Sequence, residues 1–266
     1  MRLTLRFMPA LALAIVCMGA AAQAALITGP WTNAVGQGDG PITGVGPGTV
    51  TVGNNTSGSA NGEMISSLFP SIVLADGDKI TFTGNVVLTG TVGSAAGPRT
   101  QFRFGLFQGD GDDLGWPGYY LQNSSGTGTP QGTLSRKPVG NTSAYLSGTG
   151  SNSLIATMGN GVIFNDNTYA MNLTLERSGA SLLVSGTLTG ATNGFVQSLS
   201  TTDATASTQG SFSFDRLGFL LGANLSTDQA QFSQLDVTYT PIPEPATCML
   251  ALVSIIGTAV MRRRVC

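Results

Sequence analysis

The run Gln108-Gly109-Asp110-Gly111-Asp112-Asp113 gathers three carboxylates and two glycines into six residues of a chain in which only 10% of residues are charged. Calcium takes about six to eight oxygen ligands at ~2.3–2.6 Å and accepts a flexible loop, so Asp110, Asp112 and Asp113 are candidate ligands for it. The run has neither the spacing of an EF-hand loop nor its closing bidentate glutamate, and it equally suits a solvated acidic turn. Directly after it, GWPGYY supplies Trp116, Tyr119 and Tyr120. Aromatic faces of this kind stack on the CH groups of a sugar ring, which makes the three a candidate glycan-binding site with calcium beside it. The alternative is that the tryptophan and one tyrosine plug the end of a hydrophobic core.

Other chemistries lack their residues. The chain has no histidine, which removes Ser-His-Asp and Cys-His nucleophile systems and the commonest zinc ligand. Its three cysteines, Cys17, Cys248 and Cys266, all lie near the two ends, leaving the long middle stretch without a thiol. Glutamate occurs only at Glu63, Glu176 and Glu244, so a carboxylate pair for glycoside hydrolysis would have to come mainly from aspartates. Asp76-Gly77-Asp78 is better read as a turn leading into a strand. Between Ala25 and Pro243 seven basic residues face thirteen acidic ones, an excess of six negative charges. Nucleic acid is therefore not an expected partner, because binding it requires a basic face to neutralise phosphates. A non-catalytic role is expected. The rivals are a glycan hydrolase or lyase, which would show two facing carboxylates in a cleft, and a purely structural adhesin or matrix filler, which would show no cleft, no aromatic platform and no metal.

Both ends read as addressing segments. Arg2 and Arg6 precede an apolar stretch from Phe7 to Ala22, and Ala22-Gln23-Ala24 is a small-x-small site. That order predicts a secretory signal peptide over residues 1–24, cut after Ala24, the alternative being an N-terminal membrane anchor. At the other end, Ala246 to Met261 is sixteen residues without a charge. As a helix it spans about 24 Å against a hydrocarbon core of about 30 Å, short enough that flanking arginines must snorkel. Arg262, Arg263 and Arg264 would each cost about 2.5–3.5 kcal/mol at the bilayer centre and so predict a stop-transfer cluster on the cytoplasmic side. Outside the apolar run stands Pro243-Glu244-Pro245, which lacks two amide donors and resists helix, presenting an extended segment.

A Pro-Glu-Pro triplet, a short apolar helix and a terminal arginine cluster, in that order over the last 24 residues, resemble the PEP-CTERM sorting signal of Gram-negative bacteria that make exopolysaccharide. The resemblance implies export through the inner membrane, a membrane-anchored precursor, and recognition by an exosortase that cuts near the triplet. The product would reach the cell surface or the extracellular matrix, where exopolysaccharide or biofilm is the expected partner. The alternative is a plain single-span protein with a proline-rich spacer.

Residues 25–240 must then fold as one domain, and strand signals dominate them. Tyr169, Met171, Leu173 and Leu175 alternate with Ala170, Asn172, Thr174 and Glu176, a period of two that predicts a half-buried strand. A second strand over Ser181 to Leu188, with a reversal at Ser178-Gly179, completes a hairpin. Further strands are expected over Lys79–Gly90, Thr100–Gln108, Gly118–Asn123, Ser143–Gly148, Ser153–Met158, Gly194–Ser200, Ser211–Gly222 and Phe232–Thr240. No segment sustains a helical period, and so many short strands predict an antiparallel two-sheet sandwich. The residues before Glu63 are glycine-rich and fit an edge strand with loops. ADGDKITFTGNVVL, FRFGLF, YAMNLTLERSGASLLVSG, FDRLGFLLGAN and FSQLDVTYT, in this order, resemble a concanavalin A-like, laminin-G-like jelly roll. Glycosidases of the laminarinase type on that fold share a Glu-x-Asp-x-x-Glu strand motif, and none of the three glutamates here begins it.

Overall fold

The computed structural model describes residues 22–25, 27–34, 40–53, 62–89, 101–109, 115–124, 132–146, 153–158, 167–222, 225 and 227–242. Its elements are β1 (Gln23–Ala25), β2 (Thr32–Asn33), β3 (Ile42–Gly46), β4 (Thr49–Gly53), β5 (Glu63–Val73), β6 (Lys79–Thr89), β7 (Gln101–Phe107), β8 (Gly118–Ser124), β9 (Gly132–Lys137), β10 (Ser153–Met158), β11 (Asn167–Ser178), β12 (Ser181–Gly190), β13 (Val196–Asp203), the single-turn helix α1 (Ala206–Gln209), β14 (Ser213–Leu221) and β15 (Gln229–Thr240). One sheet runs β13-β12-β11-β6-β15-β4-β3, with β1 paired to β15, and the other runs β10-β9-β8-β7-β14-β5-β2. All the pairings are antiparallel. The expected all-β, two-sheet sandwich is what the chain forms.

Alternation explains the eight-stranded sheet. In β6 Ile80, Phe82, Val86 and Leu88 are buried while Lys79, Thr81, Val87 and Thr89 are partly open. In the β11–β12 hairpin Tyr169 faces Gly190 and Ser178 faces Ser181, so the reversal is Gly179-Ala180, one residue later than expected. Gly179 has φ 59°, a value glycine adopts without the Cβ penalty. The Asp76-Gly77 turn before β6 also forms, with Gly77 at φ 84° and the Asp78 carboxylate accepting the Ala75 amide at 2.9 Å.

Four regions depart from expectation, the first being β9, a strand buried at every position where none was expected. Ser143–Gly148 is not a strand: Ser143 to Leu146 make a bend, one bridge at Ala144 and a turn, with Tyr145 and Leu146 buried against a sheet face. β5 was not anticipated, because EMISSLFPSIV is buried on both faces over its first half and so does not alternate, and because it contains Pro70. Proline lacks a ladder donor, and here it falls where the β14–β5 register shifts between Phe214 and Arg216. The glycine-rich segment before Glu63 gives two edge pieces, the β3–β4 hairpin on one sheet and β2 on the other.

The inner faces of the sheets meet in one large core. Phe219 stacks on Phe232 with ring centroids 4.2 Å apart, joining β14 to β15 across the two sheets, and Phe82 packs on Phe104. Each fully buried side chain of this size stabilises the fold by roughly 1.5–3 kcal/mol. A second, smaller cluster lies on the other face of the seven-stranded sheet. Met64, Phe107, Tyr120 and Leu220 alternate with inward-facing neighbours, and Trp116, Ala144, Tyr145 and Leu146 cover them. Among the described residues no helix is long and apolar enough to cross a membrane, and Ala246 to Met261 lies outside them.

Candidate functional site

β8 carries two of the sequence-predicted glycan residues on opposite faces. Tyr119 points inward between the sheets and Tyr120 outward, as successive residues of a strand must. Trp116 joins Tyr120 in the outer cluster. All three are 0–2% exposed, so they offer no open ring face, and the aromatic platform expected from GWPGYY is corrected to core packing. The cause is the segment 138–146, which lies over the sheet where the sequence suggested a further strand. Asp110, Asp112 and Asp113 lie outside the described residues, as do Pro243, Glu244, Pro245, Arg262, Arg263 and Arg264. Ala22 and Ala24 are exposed, and Ala24 sits in β1 opposite Thr238.

Tyr119 belongs to a polar network between the sheets. Its hydroxyl donates to Asp203 Oδ2 at 2.9 Å, and Arg136 Nη1 donates to both oxygens of the same carboxylate at 2.7 Å. Arg136 Nη1 also reaches Thr205 Oγ1, and Nη2 donates to Gln209 Oε1 at 2.7 Å. The Thr205 amide and hydroxyl donate to Asp203 Oδ1 at 3.0 and 2.8 Å. Burial pushes the Asp203 carboxyl up, yet the bonds from Arg136, Thr205 and Tyr119 outweigh it and hold it below the usual carboxylate range. The Tyr119 hydroxyl is raised, by burial first and then by the Asp203 charge. This is the one ion pair among the described residues, and it pins β9 and β8 of one sheet to the end of β13 in the other.

The outer cluster holds cations with no such partner. Arg103 sits between inward-facing Phe102 and Phe104, so its side chain leaves on the outer face, where Nη1 donates to the Leu146 carbonyl and Nη2 to Gln101 Oε1. Lys137, which follows inward-facing Arg136, donates from Nζ to the Ser143 carbonyl. Burial depresses its ammonium to about 8, and burial likewise lowers Arg103. Arg216 lies over the Trp116 ring at 4.5 Å, and Arg103 over Tyr120 at 5.6 Å. Tyr145 stacks on Trp116 at 4.7 Å and 20°, and meets Phe107 edge-on at 5.1 Å. Glycine at position 218 makes room for it: a Cβ there would stand 2.5 Å from Tyr145 Cε2. The Nε atoms of Arg103 and Arg216 and Nε1 of Trp116 are buried donors without an acceptor.

Among the described residues, five carboxylates are engaged in structural hydrogen bonds. Asp203 and Asp78 are tied as described, the latter also accepting from the Tyr239 hydroxyl at 2.6 Å and the Ile242 amide at 2.9 Å. Glu63 accepts from the Gly40 amide, Asp76 from Gly179 and Asp215 from Gly109. Among the described residues no group of three or more His, Cys, Asp or Glu is placed to hold a metal ion.

Peanut lectin bound to a nine-residue peptide superposes with a TM-score of 0.51 at 11% identity, covering 84% of this chain and 100% of the lectin. The sandwich is a legume-lectin-like jelly roll. Arcelin-5, a lectin-like defense protein from Phaseolus vulgaris, gives a TM-score of 0.53 at 9% identity over 84% of this chain and 100% of that one. The acidic lectin of winged bean, complexed with methyl-α-D-galactose, gives 0.51 at 10% identity over 83% and 99%. No protein-family model and no curated protein sequence matches the chain. At these identities the likeness extends to the fold alone. The concanavalin A-like resemblance read from the strand order thus describes the architecture, while nothing in spacing or composition joined Arg103, Lys137, Arg216 and Tyr145 into one cluster. Only the alternation of Phe102-Arg103-Phe104 and Arg136-Lys137 marked two of them as lying on the opposite face from the main core.

Proposed function

We propose that the chain is exported, retained in the membrane by its C-terminal segment, sorted at Pro243-Glu244-Pro245 by an exosortase, and carried to the cell surface or extracellular matrix. Its sandwich associates with extracellular polysaccharide without catalysis. The observation that carries this reading is the order of three parts in the last 24 residues: the triplet, the uncharged run from Ala246 to Met261, and the arginines 262–264. Each part has its own physical role in extended presentation, membrane retention and stop-transfer. Support for a glycan role comes from the fold, since the winged bean acidic lectin carries methyl-α-D-galactose on the same architecture. The commitment of Asp78, Asp203, Asp215 and Glu63 to structural hydrogen bonds favours a binding role over a hydrolytic one. Asp110, Asp112 and Asp113 are proposed as calcium ligands that stiffen the loop leading to Trp116.

The test is made on the full chain, expressed in a bacterium that possesses an exosortase. The wild type should lose mass from its C-terminal side, and the Arg262→Ser, Arg263→Ser, Arg264→Ser variant should lose retention and processing. Unchanged processing of that variant removes the sorting assignment. A glycan array probed with the purified full chain tests the second half, and silence on every glycan class leaves only the address.

A further inference from the structure

Among the described residues, the outer face of the seven-stranded sheet contains more positive charge and more hydrogen-bond donors than its partners satisfy. Arg103 is 4% and Lys137 0% exposed, yet among the described residues no carboxylate is paired with either, or with Arg216. Backbone carbonyls of the 138–146 segment take their place. If this segment merely capped the sheet, apolar side chains would do so at least as well, because replacing buried charge by packed apolar groups of similar volume is commonly neutral or stabilising. Three further donors, Nε of Arg103, Nε of Arg216 and Nε1 of Trp116, are buried in the same place with no acceptor at all. Such a surplus calls for an anion rich in oxygen.

The shape of the place is that of one six-membered ring. The Tyr145 ring lies over Gly218, stacked at 4.7 Å on Trp116 and walled by Phe107, so its withdrawal would leave a glycine-floored slot with an aromatic side. Aromatic faces of this kind accept the CH face of a sugar ring as well as another aromatic. Resting on the glycan-binding reading above, we infer that this face is a closed slot for an anionic sugar residue of an acidic polysaccharide, in which Tyr145 stands where the sugar ring would stack and the Ser143 and Leu146 carbonyls stand where its negative charge would meet Lys137 and Arg103. Opening exchanges two neutral carbonyl acceptors for an ionised one, which adds ion pairing to bonds that already have a charged donor.

The test measures binding of the purified full chain, in mild detergent, to oligogalacturonate and to the same oligomer with its carboxyl groups reduced to alcohols. Oligogalacturonate should bind about ten-fold or more tightly than the reduced oligomer, and Arg103→Gln should erase that preference. Tyr145→Ala, which empties the slot, should strengthen oligogalacturonate binding, an effect in the opposite direction to any loss of folding. Urea unfolding of each variant is recorded alongside. Equal binding of the two oligomers, an unchanged preference in folded Arg103→Gln, or weakened acidic binding in folded Tyr145→Ala overturns the inference. Binding of neutral glycans alone would overturn it while leaving the glycan reading standing. Absence of binding to every glycan tested would remove both.

Discussion

The inner and outer faces of the seven-stranded sheet each bury an arginine, and they handle its charge in opposite ways. Between the sheets, Arg136 meets the Asp203 carboxylate at 2.7 Å inside a ring of further bonds from Tyr119 and Thr205. On the outer face, Arg103 and Lys137 are covered to a similar degree and, among the described residues, donate to uncharged oxygens. A compensated charge at an inter-sheet contact acts as a cross-link whose removal leaves an orphan. Uncompensated cations under a short covering segment hold that segment by bonds that a stronger acceptor can replace. The contrast separates a part of the molecule built to stay shut from one built to exchange partners.

The largest effect should come from breaking the inner pair. Asp203→Ala strands the Arg136 guanidinium in the interior and is expected to lower the unfolding free energy by about 3–5 kcal/mol in urea titration. Arg136→Met combined with Asp203→Ala should recover part of that loss, since no charge is then left unpaired. Full additivity in the double variant would show that the two are not coupled.

The outer cation should show itself through pH. The Lys137 ammonium is depressed to about 8 in the folded chain, so between that value and the ordinary lysine range near 10.5 the unfolded chain binds more protons. Stability therefore rises with pH across this window, by on the order of 3 kcal/mol in full, and the destabilisation is fully present below it. Lys137→Met should flatten this rise, and a wild-type stability that is level from pH 8 to 10 would count against a buried, charged Lys137. In acid the inner pair behaves the other way: the Asp203 carboxyl is held low, so its contribution is present above the ordinary aspartate range and is lost as pH falls through its lowered value.

A smaller change is expected at the exit of the last strand. Asp78→Asn keeps the shape of the side chain but weakens its bonds from Tyr239 and the Ile242 amide, costing about 1–2 kcal/mol. Tyr239 reports on it directly, because the bond to Asp78, followed by burial, pushes its hydroxyl up to about 12; spectrophotometric titration should show one tyrosine returning towards its usual value in the variant. The smallest effect is that of calcium on the melting temperature, a rise of a few degrees for a weak site occupied by excess metal. Asp110→Asn with Asp112→Asn should abolish that rise, and a calcium shift that survives both substitutions would exclude the acidic loop as its origin.

The strands read from a period of two are those with one wet face, whereas β7, β8 and β14 were also expected although both of their faces are largely covered. β6, β11 and β12 alternate because one side of the eight-stranded sheet is covered and the other is not. β5 was hidden because both of its faces are covered along its first half, which leaves no period to read, and because Pro70 marks a register shift that looks like a break. The same double coverage misdirected the reading of the aromatics. Trp116 and Tyr120 follow a loop and look like an exposed platform until Ala144, Tyr145 and Leu146, expected in a strand of their own, are seen to lie over them. Arg103 between two phenylalanines would ordinarily face water, and only that covering segment makes it a buried cation. Long-range coverage of this kind leaves no local trace in composition or spacing.

The clasp that Asp78 makes with Ile242 has a mechanical consequence. β15 ends at Thr240, two residues before the clasped amide, and it lies antiparallel to β6 along nearly its whole length, from Gln229 opposite Thr89 to Thr240 opposite Lys79. Tension applied to the chain beyond Ile242 is directed along β15, across ladder bonds that run perpendicular to it and must yield together instead of unzipping one at a time. A domain tethered by its tail in a flowing or shearing medium would thus transmit force through a strand paired on both sides, with the carboxylate of Asp78 as the first link in the chain of resistance.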